Sequence, residues 1–213
     1  MIVIEDNFYP NPDEVRKLAL SEFFYAGSQG TKTYFPGKRT VGSFSNDNRL
    51  FVKNRLQGLL TKKIIDFPRW NSNCAFTLGL KKQLGKTLQN WVHQDEGDVF
   101  EQRTNSIGGM SWAAVIYLQP KASVKKGTGM FRHLETMTLG KEKGFKGKIR
   151  NAGFKESWDG THPDWELHTY IGNVYNRAVV YPATMWHAPF DAGFGHNKKT
   201  GRLVQVCFFI TEK

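Results

Sequence analysis

The sequence predicts a mainly β protein with flanking N-terminal helices, an α+β arrangement in which an antiparallel barrel or sandwich follows two helical segments. Three observations point there. From about Asn73 onward, short β-branched or aromatic runs recur between Gly, Pro and Lys clusters, with no helical pattern between them. Aromatic residues make up 14% of the chain, and its 21 glycines supply turns. Both amphipathic helical patterns precede residue 72. A length of 213 residues suits a single domain over 1–213, with a helical part at about 1–72 and a β core at about 73–213.

The elements follow in order. Ile2–Ile4 reads as a short strand. Asn11 then caps a helix with Pro12 at its first position, Asp13 and Glu14 in its first turn, and Val15, Leu18, Ala19 and Phe23 as its apolar stripe. Residues 26–48 are glycine-rich and polar and read as loop. A second helix is expected through "RLFVKNRLQGLLTKKIIDF", with Leu50, Leu56, Leu59, Leu60 and Ile64 near one face. The core strands are "CAFTLGL", "SWAAVIYLQ", "GMFRHLET", "RAVVYP" and "RLVQVCFFI". No repeat, low-complexity tract or linker divides the chain.

No apolar run approaches the roughly 20 residues that span a bilayer, and no basic segment precedes an apolar one at the N-terminus. Two cysteines, Cys74 and Cys207, form no disulfide framework and fit a cytoplasmic protein. The formal net charge is +11, and nine Lys and Arg fall between Lys121 and Arg150. That stretch reads first as a solvated loop. It could also draw an anionic small molecule, an acidic protein or nucleic acid.

The chemistry lies in "WVHQDEGDVF". On an extended segment, residues two apart face the same side, so His93 and Asp95 can offer an imidazole nitrogen and a carboxylate oxygen to one point. His187, at the end of the strand in "RAVVYPATMWHAPF", is the best third ligand. Two histidines and one carboxylate form the facial set used by non-haem Fe(II) oxygenases. Arg202 heads an otherwise apolar strand, where alternation groups it with Val204, Val206 and Phe208 and apart from Cys207. A guanidinium on a core face needs an anion, and the distal carboxylate of 2-oxoglutarate would serve.

In these residues the chain resembles the Fe(II)- and 2-oxoglutarate-dependent oxygenases. The shared pattern is His93-Gln94-Asp95, then His187, then Arg202. The opening "VIEDNF…P", the segment "AAVIYLQPKASVKKGTGMF" and "YNRAVVYPATMWHAP" are similar to prolyl-hydroxylase-type members, including bacterial and phage-borne ones. The resemblance implies a double-stranded β-helix (jelly roll) core and a hydroxylase. His93, Asp95 and His187 would hold Fe(II), Arg202 would bind 2-oxoglutarate, and O2 would be consumed with release of succinate and CO2. Asp95 fills the place that halogenating relatives leave to halide, which favours hydroxylation. Two positions depart from the family pattern: Val204 replaces a frequent Ser or Thr, and Gln83 stands near a frequent tyrosine, where it is a candidate cosubstrate contact.

His133 and Trp91 are candidate pocket residues, and substrate choice is assigned to residues 26–48, 96–109 and 120–160. His162, Asp164 and His168 read as a surface turn, His196 as a loop residue and Cys207 as structural. The rival reading is a non-catalytic basic jelly roll that binds nucleic acid or an acidic partner through its lysines.

Overall fold

The computed structural model describes residues 1–26, 37–41, 46–69, 73–83, 86–87, 90–140, 153–154, 160 and 162–213, with Gln83 described by its backbone alone. In its first half β1 (Val3–Glu5) precedes α1 (Pro12–Ser21), β2 (Tyr25–Ala26), β3 (Lys38–Arg39), α2 (Asn46–Leu60) and β4 (Ile64–Asp66). Next come β5 (Ala75–Gly79), β6 (Lys82–Gln83), β7 (Lys86–Thr87), β8 (Asn90–Trp91), α3 (Asp98–Ile107) and β9 (Met110–Tyr117). The remainder is β10 (Thr128–His133), β11 (Gly153–Phe154), β12 (Trp165–Ile171), β13 (Ala178–Pro182), β14 (His187–Pro189) and β15 (Arg202–Thr211).

The chain folds as a mainly β jelly roll. An eight-stranded antiparallel sheet runs β1-β13-β9-β15-β5-β3-β2, with β4 also on β15, and faces a three-stranded sheet of β12, β10 and β14. Alternation along β15 divides the core. Leu203, Cys207 and Phe209 pack outward on Val52, Leu56 and Leu60 of α2 and Ala19 of α1. Val204, Val206 and Phe208 point inward, toward Tyr117, Tyr181 and Met130 between the two sheets. Gln205 is wholly buried on the outward face, where it accepts a hydrogen bond from the Tyr9 hydroxyl and donates to the Cys74 carbonyl at 3.3 Å.

The five expected core strands all form. Pro12 begins α1 after Asn11, but the Asn11 side chain makes no capping bond, and the helix stops at Ser21. Phe23 is therefore exposed, Leu18 lies at the surface, and Ala19 with Phe24 takes the buried side. The second helix ends at Leu60, where Thr61 turns into the left-handed region (φ 52°), so Ile64 belongs to a strand and Leu50 faces solvent. Among the elements not expected are β3, α3 and β12. α3 lies within the range assigned to a substrate loop, and it buries only Phe100 and Thr104. The basic run 141–150 and residues 27–36 and 42–45 lie outside the described residues. Among the described residues no helix is long and apolar enough to cross a membrane.

Gly79 pairs with Arg202 across β5 and β15, and a Cβ there would overlap the backbone oxygen of Ala192. Relief requires the backbone to move, so Gly79→Ala is expected to destabilise the protein by about 1–3 kcal/mol, read as a lower midpoint in urea.

Candidate metal centre

His93 and His187 are joined as an isolated antiparallel bridge with two backbone hydrogen bonds, His93 N to His187 O and His187 N to His93 O, both 2.9 Å. Directly paired residues project to the same face, and the two imidazole centroids lie 4.3 Å apart. Beyond the bridge, the backbone N–H groups of Asp95 and Glu96 both donate to Ala183 O, at 2.9 and 3.0 Å. The β13–β14 turn thereby holds the His93–Asp95 segment extended and turns Asp95 to the side of His93.

One local device orients both rings. His93 Nδ1 donates to the Trp91 carbonyl (2.8 Å) and His187 Nδ1 to the Met185 carbonyl (2.9 Å). A carbonyl only accepts, so each Nδ1 carries a proton, and in the neutral imidazole Nε2 is the nitrogen left with a lone pair. His187 Nε2 lies 3.3 Å from Asp95 Oδ2, and His93 Nε2 lies 3.9 Å from Asp95 Oδ1. Lone pairs facing lone pairs at these distances repel unless a cation sits among them. Ligand atoms of His93, Asp95 and His187 all fall within 4.8 Å of one another, and small side-chain rotations would close them on one ion with bonds of about 2.0–2.2 Å. The donor set suits a divalent transition metal with open positions left over.

Burial pulls the His187 imidazole down to about 4, opposed by the Asp95 carboxylate, so it is neutral and ready to ligate near pH 7. Tyr181 was not anticipated. Its hydroxyl donates to Asp95 Oδ2 at 3.0 Å and its ring lies 4.7 Å from that of His187. Burial, followed by the Asp95 charge, holds the phenol well above its ordinary value, so it stays a donor. A sequence signal existed: Tyr181 shares parity with the inward Val179 on β13.

Arg202 is 8% exposed and shares the inward face with Val204. Its Nε has no hydrogen-bond partner, and among the described residues no carboxylate forms an ion pair with it. Burial lowers its affinity for the proton, and Tyr117, Asp191 and Tyr181 oppose that effect. Asp191 is engaged elsewhere, by Lys126 Nζ at 2.7 Å and Gly193 N at 3.1 Å. Tyr117 adds a hydroxyl, 2.6 Å from Thr128 Oγ1, to the wall that Val204 leaves apolar. A buried guanidinium with an unmatched Nε beside two buried hydroxyls is suited to receive a carboxylate.

The other candidates divide. Trp91 shares the parity of His93, while Val92 packs outward on Phe131 and Trp165. His133 goes to the opposite face of β10 from Met130, which pairs with His187, and its ring packs 5.0 Å from Trp165. The register places it away from the metal ligands. Gln83 pairs with Lys86 through the backbone, and its side chain lies outside the described residues.

Fold and site together define a jelly roll whose interior could carry a metal on two histidines and an aspartate. The chain belongs to DUF6445, a family of unknown function whose profile matches residues 1–209. The sequence matches none of the curated proteins. Solved structures share the fold. A prolyl hydroxylase from Trichoplax adhaerens, in complex with a hypoxia inducible factor peptide fragment, aligns with a TM-score of 0.55 at 11% identity, over 99% of this chain and 83% of that one. HygX from Streptomyces hygroscopicus, with nickel, 2-oxoglutarate and hygromycin B bound, aligns with a TM-score of 0.51 at 11% identity, over 100% and 83%.

Two outcomes are expected. Tyr181→Phe keeps the ring but removes the donor to Asp95, and metal affinity measured by competition with a chelator should fall about tenfold or more with the fold intact. In metal-free protein His187 has a lower proton affinity folded than unfolded. The unfolded chain therefore binds more protons between about pH 6.5 and 4, and stability declines as pH falls through that window, by at most about 3 kcal/mol. Urea unfolding of wild type against His187→Asn isolates this, since the variant should lose that part of the pH dependence.

Proposed function

We propose that this protein is an Fe(II)- and 2-oxoglutarate-dependent dioxygenase that hydroxylates a C–H bond of a protein side chain, such as proline, or of a small molecule. The observation that carries the reading is one barrel interior holding both the converging ligand atoms of His93, His187 and Asp95 and the buried Arg202 guanidinium, whose Nε is unmatched. A metal alone would not call for Arg202, and an anion alone would not call for the three ligands. An acid that chelates a metal at one end and carries a second carboxylate at the other satisfies both.

In this reading His93, Asp95 and His187 hold the iron. Bound iron and 2-oxoglutarate, with O2, supply the oxidant, and succinate and CO2 leave. The protein's own groups set the geometry. Arg202 takes the distal carboxylate in a forked pair, with the Tyr117 and Thr128 hydroxyls beside it. Tyr181 fixes one Asp95 oxygen and so directs the other. Met130, Val204, Val206 and Phe208 pack as an apolar cluster on the same inward face and would exclude water, which keeps the oxidation on the intended bond. A cytoplasmic location, and an anionic partner drawn to the lysines of 121–150, belong to the same proposal.

The test is an anaerobic titration of the metal-free protein with Fe(II) and 2-oxoglutarate, following the visible metal-to-ligand charge-transfer band. His93→Ala should abolish the band and Arg202→Ala should weaken it, lowering 2-oxoglutarate affinity about tenfold or more. Folded protein that gives no band would end the oxygenase reading and turn attention to the basic surface and its salt-dependent binding of polynucleotides.

A further inference from the structure

The three-stranded sheet runs on past the metal ligands to an ion pair that neither the ligand set nor the 2-oxoglutarate reading uses. Met130 pairs with His187 and Thr128 with Pro189, and the contact continues as Phe190 N donates to Gly127 O at 3.0 Å. One step further along the same count stand Lys126 and Asp191, joined by Lys126 Nζ to Asp191 Oδ2 at 2.7 Å. Lys126 has the parity of Met130 and Thr128, which face the barrel interior, and Asp191 has the parity of His187. The pair is held from several sides. Gly193 N donates to Asp191 Oδ1 at 3.1 Å, the ammonium lies 4.7 Å from the centroid of the buried Phe194 ring, and Asn173 Nδ2 donates to the Lys126 carbonyl at 3.2 Å.

The same pair stands beside Arg202. Gly79 is the Cα partner of Arg202, and paired residues share a face. A Cβ at Gly79 would meet Ala192 O and Gly193 Cα, so the chain leaving Asp191 crosses the sheet at the Arg202 row. Burial lowers the affinity of Arg202 for its proton, and Tyr117 first, then Asp191, oppose that fall, so the Asp191 charge is felt at the guanidinium. Lys126, Asp191 and Arg202 thus bring two cations and one carboxylate to this end of the barrel, and one positive charge is left over. The side chains of Lys126 and Asp191 are 35% and 24% exposed, so their pairing adds little to stability. Its consequence lies elsewhere. A carboxylate this near a buried guanidinium with an unmatched Nε would pair with it if nothing else held it.

We propose that Lys126 is a positioning residue for the cosubstrate receptor: by holding Asp191 it keeps an internal carboxylate off Arg202 and leaves the guanidinium to the distal carboxylate of 2-oxoglutarate. This rests on the oxygenase reading above. Without Lys126 the nearest anion to Arg202 is Asp191, which is tethered to the same wall and so competes at a high effective concentration. The positive and negative charges at this end then balance, and no attraction remains for a dissolved acid. Without both side chains the excess positive charge returns, now on Arg202 alone. Loss of Lys126 is therefore corrected by loss of Asp191.

The experiment is calorimetric titration of 2-oxoglutarate into Zn(II)-loaded wild type, Lys126→Met, Asp191→Asn and the double variant, with Arg202→Gln as reference. Met keeps the side-chain stem over Phe194, and Asn keeps the acceptor for Gly193 N. Lys126→Met should bind 2-oxoglutarate about tenfold more weakly, Asp191→Asn no more weakly than wild type, and the double variant within about threefold of wild type. Nitrogen–proton NMR of the metal-free proteins gives a second readout with no acid present. The Arg202 Nε–H resonance should shift in Lys126→Met, as Asp191 closes on it, and return in the double variant. A packing role would instead give losses that add. A double variant that binds no more tightly than Lys126→Met, a Lys126→Met that binds like wild type, or an Arg202 resonance that Lys126→Met leaves unmoved would each overturn the proposal. The oxygenase reading would still stand on wild-type binding and its loss in Arg202→Gln. Wild type that binds no 2-oxoglutarate would overturn the oxygenase reading, and the role of Lys126 with it.

Discussion

Two backbone hydrogen bonds of 2.9 Å between His93 and His187 hold together candidate ligands that lie 94 residues apart in the chain. The strands on either side are short, and the bridge does not belong to a long ladder. Everything at the site depends on its register. A slip of one residue would send one imidazole to the opposite face, because side chains alternate with a period of two. With the register fixed, Asp95 follows on the same side, and its N–H is secured on Ala183 O. Each ring then uses the carbonyl two residues before it to set its tautomer, so the backbone that pairs the strands also decides which nitrogen is left to face a metal.

Charge in an apolar barrel sets the second constraint. Val115, Val206, Phe208 and Met130 line the space between the sheets, and ionic groups there lose hydration without regaining it from neighbours. The protein nevertheless places Asp95 and Arg202 on that face. Such groups lower the stability of the empty fold and become favourable when complementary ions and oxyanions arrive. The wide outer cluster, where α1 and α2 cover β9, β15 and β5, offsets that cost away from the chemistry.

Much of this was legible in the sequence where alternation and residue type spoke together. β5, β9, β10, β13 and β15 are apolar or β-branched along their length, and the parity of Arg202 with Val204 and Val206 follows from counting. Other elements gave weak signals for physical reasons. β12 carries Glu166, His168 and Tyr170 on its exposed positions, and Pro163 just before it gave the segment the look of a surface turn. α3 needs only Phe100 and Thr104 to anchor it, and Gly108 closes it in a left-handed cap, too little apolar surface for a stripe to stand out. β3 is two residues long and owes its existence to β5. Tyr181 was hidden differently. It looks like one more core aromatic, and its contact to Asp95 spans 86 positions that no local pattern can connect.

The position of Arg202 also limits where the sheet can change. Gly79 lies opposite it on β5, and a Cβ there cannot be added without moving Ala192. Arg202 lies on β15 in the middle of the large sheet, where a central strand tolerates little change because every neighbour shares its register. β3 and β2 close the sheet at one end, and a strand near the edge can be altered with consequences confined to one side. Under the proposed function, the group that would receive the cosubstrate is thus built into the part of the sheet that cannot drift, and change near the edge would leave His93, Asp95, His187, Tyr181 and Arg202 in their geometry.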